Sequence, residues 1–161
     1  MYIEFLHTEV VNFLSSYSLF TLSSDDRVTL LYENGLIDAP ESSLSNKQMF
    51  NNDIIDAYKL SPLIRNKYLE NKVKEVTGNE IKIIDHSDSE ITGIHCAACR
   101  FIVFDKYEDS VFEICPVCGW QSDSLSEDGY SKLNGVDLKT FRNTSLYKDN
   151  VSKYMDVYIR D

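Results

Sequence analysis

Four cysteines constrain this chain more than any other feature, because they fall into two closely spaced pairs. The pairs are Cys96-Ala-Ala-Cys99 and Cys115-Pro-Val-Cys118, and the 161-residue chain contains no other cysteine. Fifteen residues separate the pairs, a spacing typical of sites in which four thiolates bind zinc. Four cysteines complete the tetrahedral coordination of Zn²⁺ and leave no position for water. The sequence therefore predicts one structural Zn²⁺ per chain, bound by Cys96, Cys99, Cys115 and Cys118.

The residues between the two pairs predict a β-hairpin. Residues 101–104 and 111–114 are rich in β-branched and aromatic residues, and they flank the polar stretch 105–110. Two such runs on either side of a polar turn are typical of a hairpin. A hairpin here would return the second cysteine pair to the metal, so the sequence predicts a zinc ribbon.

Paired cysteines have three other common uses: redox chemistry, disulfide formation and iron binding. Redox-active pairs usually place a thiolate at a helix N-terminus, whereas both pairs here flank predicted strands. Disulfides need an oxidising compartment, and residues 1–22 carry Glu4 and Glu9 where an export signal would be basic. Iron stays open, because ligand softness alone does not separate it from zinc. His95 precedes Cys96 and could replace a cysteine as a ligand, but a role beside the site is the better interpretation.

Before the cysteines, the hydrophobic pattern has the period of helices. It predicts about four of them, over residues 3–18, from Ser23 to Asn34-Gly35, around residues 50–58, and from Ser61-Pro62 to Gly78. Residues 38–46 are expected to form a polar connector. From residue 80 the pattern alternates, which predicts strands at 81–85 and 91–94 that extend the ribbon's sheet. Beyond the ribbon, Asp137 is expected to cap a helix, and the C-terminal residues are expected to be helical up to 157.

These elements predict an α+β protein made of two modules. The first is a helical module over residues 1–78. The second, over residues 79–161, combines the zinc-ribbon hairpin with flanking strands and a helix.

Three stretches resemble the bacterial CPCC cysteine-rich family: Ile94-His-Cys-Ala-Ala-Cys99, Phe112-Glu-Ile-Cys-Pro-Val-Cys-Gly-Trp120 and Asn134-Gly-Val-Asp-Leu-Lys-Thr-Phe-Arg-Asn143. The resemblance covers about residues 94–146. It departs from the family at the first pair, where the family has Cys-Pro-Cys-Cys, and at Asp137, where the family usually has serine. The resemblance implies a metal role for the four cysteines. It also implies an immunity function, because such domains often accompany polymorphic bacterial toxins.

Charge indicates the kind of partner. The chain has 26 acidic and 16 basic residues, a formal net charge of −10, and both predicted modules are acidic. An acidic protein repels phosphate backbones and attracts basic partners, so we expect a basic protein partner and neither nucleic acid nor membrane. No apolar run approaches the ~20 residues of a membrane span, and we expect a cytoplasmic protein. The candidate partner surface consists of Asp105, Glu108, Asp109, Trp120, Asp123, Glu127 and Asp128. Trp120 has a second expected position, packed beneath the second cysteine pair.

Binding is a better interpretation than catalysis. The sequence lacks the common phosphate-binding, nucleophile and metalloprotease motifs, and a four-cysteine site has no open metal position. We therefore expect an immunity protein that neutralises a toxin domain, a nuclease whose basic active site would accept carboxylates in place of phosphates. The alternative is a nucleic-acid-associated or regulatory zinc ribbon. That class needs clustered basic residues, and the predicted hairpin offers only Arg100 and Lys106.

Overall fold

A computed structural model describes residues 1–123 and 128–161, and it divides the chain into two compact units. The first unit comprises residues 1–60 and 70–85, and the second comprises residues 61–69 and 86–161. The described residues mix seven α-helices with three two-stranded sheets, which confirms the predicted α+β class. None of the helices in these ranges is long and apolar enough to cross a lipid bilayer.

The first unit combines a parallel pair of strands with helices. Its elements are β1 (Ile3–Phe5), α1 (His7–Thr21), α2 (Ser24–Glu33), α3 (Ser42–Ser45), α4 (Asn51–Ala57), the greater part of α5 (Asn66–Thr77), and β2 (Ile81–Ile83). Leu31, Ile37, Phe50 and Ile54 form a buried cluster between α2 and α4.

Residues 3–5 form a strand, so the prediction of a single helix over 3–18 is wrong at its start. β1 pairs in parallel with β2, with Ile3 opposite Ile81 and Phe5 opposite Ile83. The first helix begins only at His7, whose N–H donates to the Asp85 carboxylate at 2.7 Å. The apolar spacing of the first residues fits a strand as well as a helix, and a pairing partner so distant in sequence decides between them. The same pairing contradicts the prediction that residues 81–85 extend the ribbon's sheet.

Helix caps in the first unit match the local sequence chemistry. The Ser23 hydroxyl accepts the N–H of Asp26 at the start of α2, and Gly35 follows its end with φ of 68°. Gly78 takes φ of 77° after α5, as glycine does at helix ends. The predicted connector 38–46 instead contains α3, whose Ser45 carbonyl accepts two hydrogen bonds from the Arg27 guanidinium.

The second unit contains the first turn of α5, β3 (Ile94–His95), β4 (Ile102–Phe104), β5 (Tyr130–Ser131), β6 (Val136–Asp137), α6 (Leu138–Arg142) and α7 (Ser145–Lys153). Helix α5 begins at Asn66 and not at the predicted Ser61-Pro62. The Asp88 carboxylate accepts the Asn66 N–H at 2.6 Å, so a residue from another part of the chain supplies this cap. The Asp137 side chain caps α6 by accepting the Thr140 N–H, as predicted.

The C-terminal residues are not helical up to 157, because residues 154–157 form turns. Helix α7 ends at Lys153, and the chain then forms isolated bridges, Tyr158 with Ile64 and Arg160 with Phe101. The prediction of a longer helix is therefore wrong. The ambiguous spacing of apolar residues is resolved by pairing partners elsewhere in the second unit.

Candidate metal centre

The four cysteines meet in the second unit. The Sγ atoms of Cys96 and Cys118 are 3.7 Å apart, and those of Cys99 and Cys115 are 3.6 Å apart. All four Sγ atoms lie within 4.8 Å of one another, and all four residues are buried free cysteines. Disulfide sulfurs would be ~2.05 Å apart. Each short distance joins one cysteine of the first pair to one of the second, so the cluster needs both pairs.

The sulfur spacing fits a tetrahedral metal ion. Four sulfurs at ~2.3 Å from Zn²⁺ define a tetrahedron with edges of about 3.8 Å. The observed distances of 3.6 and 3.7 Å are close to this edge. The donor set of four thiolates suits zinc and also iron. The four cysteines could therefore hold one metal ion, as the sequence predicted.

Each cysteine pair lies in its own tight turn, which we call a knuckle, and the two knuckles share one hydrogen-bond pattern. In the first knuckle (residues 96–101), the Cys96 N–H donates to the Phe101 carbonyl and the Arg100 N–H donates to the Cys96 carbonyl, both at 2.9 Å. The second knuckle (residues 115–120) repeats both bonds at 2.9 Å, through Cys115, Gly119 and Trp120. The two knuckles are thus copies of one local structure.

The pairing beside the knuckles follows the same repeat. His95 pairs with Ile102 in the β3–β4 hairpin, and Ile114 pairs with Gln121 in an isolated bridge. In each case the residue before the first cysteine pairs with the residue after the knuckle. The predicted hairpin of 101–104 with 111–114 is therefore wrong. A 3₁₀ turn at Glu108–Ser110 precedes the second run, and the positive φ of Phe112, 60°, interrupts it.

The double knuckle lies in a segment that matches a known protein family. Residues 94–143 match the model of the Cysteine-rich CPCC family. The match confirms the resemblance seen in the motifs, and it covers both knuckles, β3 to β6 and α6, which we call the CPCC segment. No curated protein and no solved structure matches the chain.

Two arginines bind the backbone of the first knuckle. Arg142, in the CPCC segment, donates from Nε and Nη2 to the carbonyls of Ala98 and Ala97 at 2.9 and 2.7 Å. Arg160, beyond the segment, donates from Nε to the Cys99 carbonyl at 3.0 Å. Four thiolates around a divalent cation carry a formal charge of about −2, which these guanidinium groups partly offset. Sequence reasoning missed both arginines, because nothing in their local spacing points to a contact so far along the chain.

Aromatic side chains pack beneath the knuckles of the CPCC segment. Trp120 is only 4 % exposed, and its ring centroid lies 5.0 Å from that of Phe141. Phe141 in turn contacts Tyr147, whose hydroxyl donates to the Ala98 carbonyl at 3.0 Å. Of the two positions expected for Trp120, the structure shows the packed one. The buried indole presents no surface to a partner.

Hydrogen bonding among the four cysteines shifts the pKa values of Cys115 and Cys118 in opposite directions. Hydrogen bonds donated to Cys115, with Cys118 the largest contributor, lower the pKa of the Cys115 thiol. The same bond to Cys115 raises the pKa of the Cys118 thiol, because its proton is held between the two sulfurs. Four thiolates this close together would repel one another, and Cys96, Cys99, Cys115 and Cys118 would hold a divalent cation that offsets their charge.

Four acids of the predicted partner surface are exposed to solvent. Asp105, Glu108 and Asp109 are exposed in the loop between β4 and the second knuckle, and Asp128 is exposed just before β5. Asp123 is half-buried. Glu127 lies in residues 124–127, outside the described residues. The loop between the knuckles (residues 105–114), which we call the inter-knuckle loop, therefore presents its acidic side chains to solvent.

Proposed function

We propose that this chain is a binding protein that holds one structural Zn²⁺ and recognises a basic protein through the acidic surface of its second unit. One observation carries the proposal: four buried sulfurs at tetrahedral spacing immediately adjoin a loop with exposed carboxylates. The thiolates would occupy all four metal positions, which supports a structural and not a catalytic metal. Reduced thiolates also favour a cytoplasmic location.

The metal is tested on the full chain purified without added metal. We expect one zinc per chain by elemental analysis and no free thiol that titrates until a chelator is added. A visible charge-transfer absorption together with one iron per chain would show that the bound metal is iron and not zinc. Four freely titrating thiols with no metal would contradict the metal site.

The inter-knuckle loop supports a basic partner. Its exposed acids, Asp105, Glu108, Asp109 and Glu113, are accompanied by one base, Lys106. No salt bridge among the described residues uses any of these five side chains. Unpaired carboxylates on a protein with net charge −10 can raise association rates with a basic protein about 10- to 1,000-fold at low salt.

We further propose that the partner is a bacterial toxin domain and that the chain is its immunity protein. This step rests on the CPCC resemblance together with the acidic surface. The test is co-expression of the chain with the protein encoded by the neighbouring gene. Protection from that protein's toxicity is expected, and it should be lost when Asp105, Glu108 and Asp109 are changed to lysine.

A matched control carries the same change in charge elsewhere. The exposed acids Glu33, Asp38 and Glu41 lie in the first unit, and their replacement by lysine should leave protection intact. Equal loss in both triple variants would mean that net charge and not a particular surface matters. Micromolar, salt-sensitive binding to DNA or RNA with no protein partner would favour the nucleic-acid alternative.

A further inference from the structure

Four large apolar side chains are exposed on the CPCC segment beside the second knuckle. Phe112, Ile114, Tyr130 and Leu133 are between 49 % and 64 % exposed. Together, these four side chains expose roughly 400 Å² of apolar surface. The largest apolar patch on a monomer is of this order and is often functional.

Gln121 joins the two stretches that carry these side chains. Its side-chain amide donates to the Phe112 carbonyl at 2.7 Å, and its backbone pairs with Ile114. Its backbone N–H also donates to the Asn134 side chain at 2.8 Å, and Asn134 donates to the Ser131 hydroxyl. Phe112 and Ile114 therefore bond directly to Gln121. Tyr130 and Leu133 are next in sequence to Ser131 and Asn134, which hydrogen bonds link to Gln121. We name Phe112, Ile114, Tyr130 and Leu133 the Gln121 patch.

The backbone of Phe112 is strained although its side chain is not buried. Its φ of 60° lies in the left-handed region, which is unfavourable for a residue with a side chain. Burial of the ring does not offset this cost, because the ring is 63 % exposed. The hydrogen bonds to Gln121 and the following knuckle hold the strained residue in place, with its ring accessible.

Acidic residues flank the patch along the chain. Residues 105–114 and 128–137 contain six acids and two bases. Glu113 lies between two members of the patch, and Asp109 and Asp128 are exposed near its two ends. An apolar centre with a charged rim is the usual composition of a protein interface, and a negative rim is complementary to a basic partner.

We infer that the Gln121 patch is the contact core for the basic protein, which presents an apolar side chain surrounded by lysine or arginine side chains. The inference rests on the proposed function. The patch supplies about half of the ~800 Å² that a stable interface buries on each partner, and the acidic rim supplies the rest. The apolar core then governs how long the complex lasts, whereas the rim governs how fast it forms.

The first test replaces Phe112 with photoreactive p-benzoylphenylalanine in the full, metal-loaded chain, expressed in cells that carry the neighbouring gene. The control places the same group at Phe20, which is 86 % exposed in the first unit. We expect irradiation to join position 112, and not position 20, to one protein with an excess of lysine and arginine. Reversal of Asp109 and Glu113 to lysine should lower the yield several-fold.

The inference would be overturned by the absence of an adduct at position 112, or by equal adducts at both positions. It would also be overturned by an adduct with an acidic protein or nucleic acid, or by a yield that the charge reversal leaves unchanged. The captured protein then serves as the probe for kinetics. Phe112→Asn removes the ring while accepting the left-handed backbone. It should raise the dissociation rate at least tenfold, with metal content and unfolding midpoint preserved, while Phe20→Ala should change none of these.

Different results would contradict the patch as contact core and the proposed immunity function. If the neighbouring-gene product binds Phe112→Asn as tightly as the wild-type chain, the patch is wrong and the proposed function stands. If position 112 captures a basic protein that is not toxic, the patch stands and the immunity proposal is wrong.

Discussion

Gly119 provides a sharp test of the knuckle geometry, because the structure separates backbone strain from steric collision there. Its φ is 80°, and a Cβ built at this position would meet no atom within 4 Å. Gly119→Ala therefore forces a side chain into the left-handed region without creating a clash. The cost of that conformation is about 1 kcal/mol.

This cost should appear in metal affinity. The metal binds the folded knuckle and not the unfolded chain, so strain in the knuckle is subtracted from the free energy of binding. About 1 kcal/mol corresponds to roughly a fivefold weaker affinity at 25 °C. We expect Gly119→Ala to bind metal about fivefold more weakly, as measured by competition with a chromophoric chelator.

The first knuckle offers the reverse substitution. Arg100 occupies the position equivalent to Gly119, with φ of 67°. Arg100→Gly relieves strain but removes an exposed hydrogen bond to His95 at 2.9 Å and an exposed ion pair with Asp161 at 3.6 Å. Exposed pairs contribute under ~1 kcal/mol. The metal affinity of Arg100→Gly should therefore lie within about twofold of wild type.

Gly78→Ala is the matched control, because Gly78 has φ of 77° and similarly open surroundings in the first unit. It should lower the free energy of unfolding by about 1 kcal/mol without changing metal affinity. An unchanged affinity for Gly119→Ala would refute the strain argument. So would a loss above 100-fold, which would mean that the added methyl group collides after all.

Three further predictions concern the second unit. Cys115→Ser should abolish metal binding and remove hydrogen-exchange protection from residues 86–161 while residues 7–60 stay protected, because a structural zinc supplies on the order of 10 kcal/mol in small peptides; simultaneous loss in both ranges would contradict this. Arg142→Lys keeps the charge but cannot donate to two carbonyls as a guanidinium does, so metal affinity should fall about tenfold, whereas an unchanged affinity would exclude a supporting role. Burial raises the pKa of Tyr158 to about 12, above the ~10 of an unfolded tyrosine. The contribution of Tyr158 to the free energy of unfolding is therefore complete below pH 10 and is lost as pH rises from 10 through 12, by up to about 3 kcal/mol. Tyr158→Phe should flatten this decline with pH, measured by urea unfolding. An identical decline in the variant would refute the assignment to Tyr158.

Local chemistry could be predicted from the sequence with good precision. Ser23 and Asp137 cap the helices that follow them, and Gly35 and Gly78 follow helix ends in the left-handed conformation. Each of these features depends on residues within a few positions along the chain. The four-cysteine cluster was also predictable, because metal sites of this class require a fixed ligand type at a fixed spacing.

Pairing between distant segments could not be predicted. The strand β1 depends on β2, and the start of α5 depends on Asp88. The predicted ribbon hairpin failed for a related reason: two apolar runs on either side of a polar turn suggested partners, but each run lies beside its own knuckle. Alternating apolar residues identify a strand, but they do not identify its pairing partner.

The arginines of the first knuckle show the same limit for the site. Arg142 and Arg160 bind carbonyls of residues 97–99, more than forty positions away in sequence. An arginine that binds backbone carbonyls has no recognisable spacing from its partners, whereas a cysteine ligand does. Single-sequence reasoning therefore found the metal ligands and missed the residues that support them.

The parallel pairing of β1 with β2 also sets the order in which the first unit can fold. Because β1 pairs with β2, a chain emerging from the ribosome makes all of α1 to α5 before its first strand has a partner. Closing so long a loop costs about 4 kcal/mol in chain entropy. Packing of Leu31, Ile37, Phe50 and Ile54 before the strands pair would shorten the effective loop. We therefore expect this small sheet to be the last part of the first unit to form and the first to open.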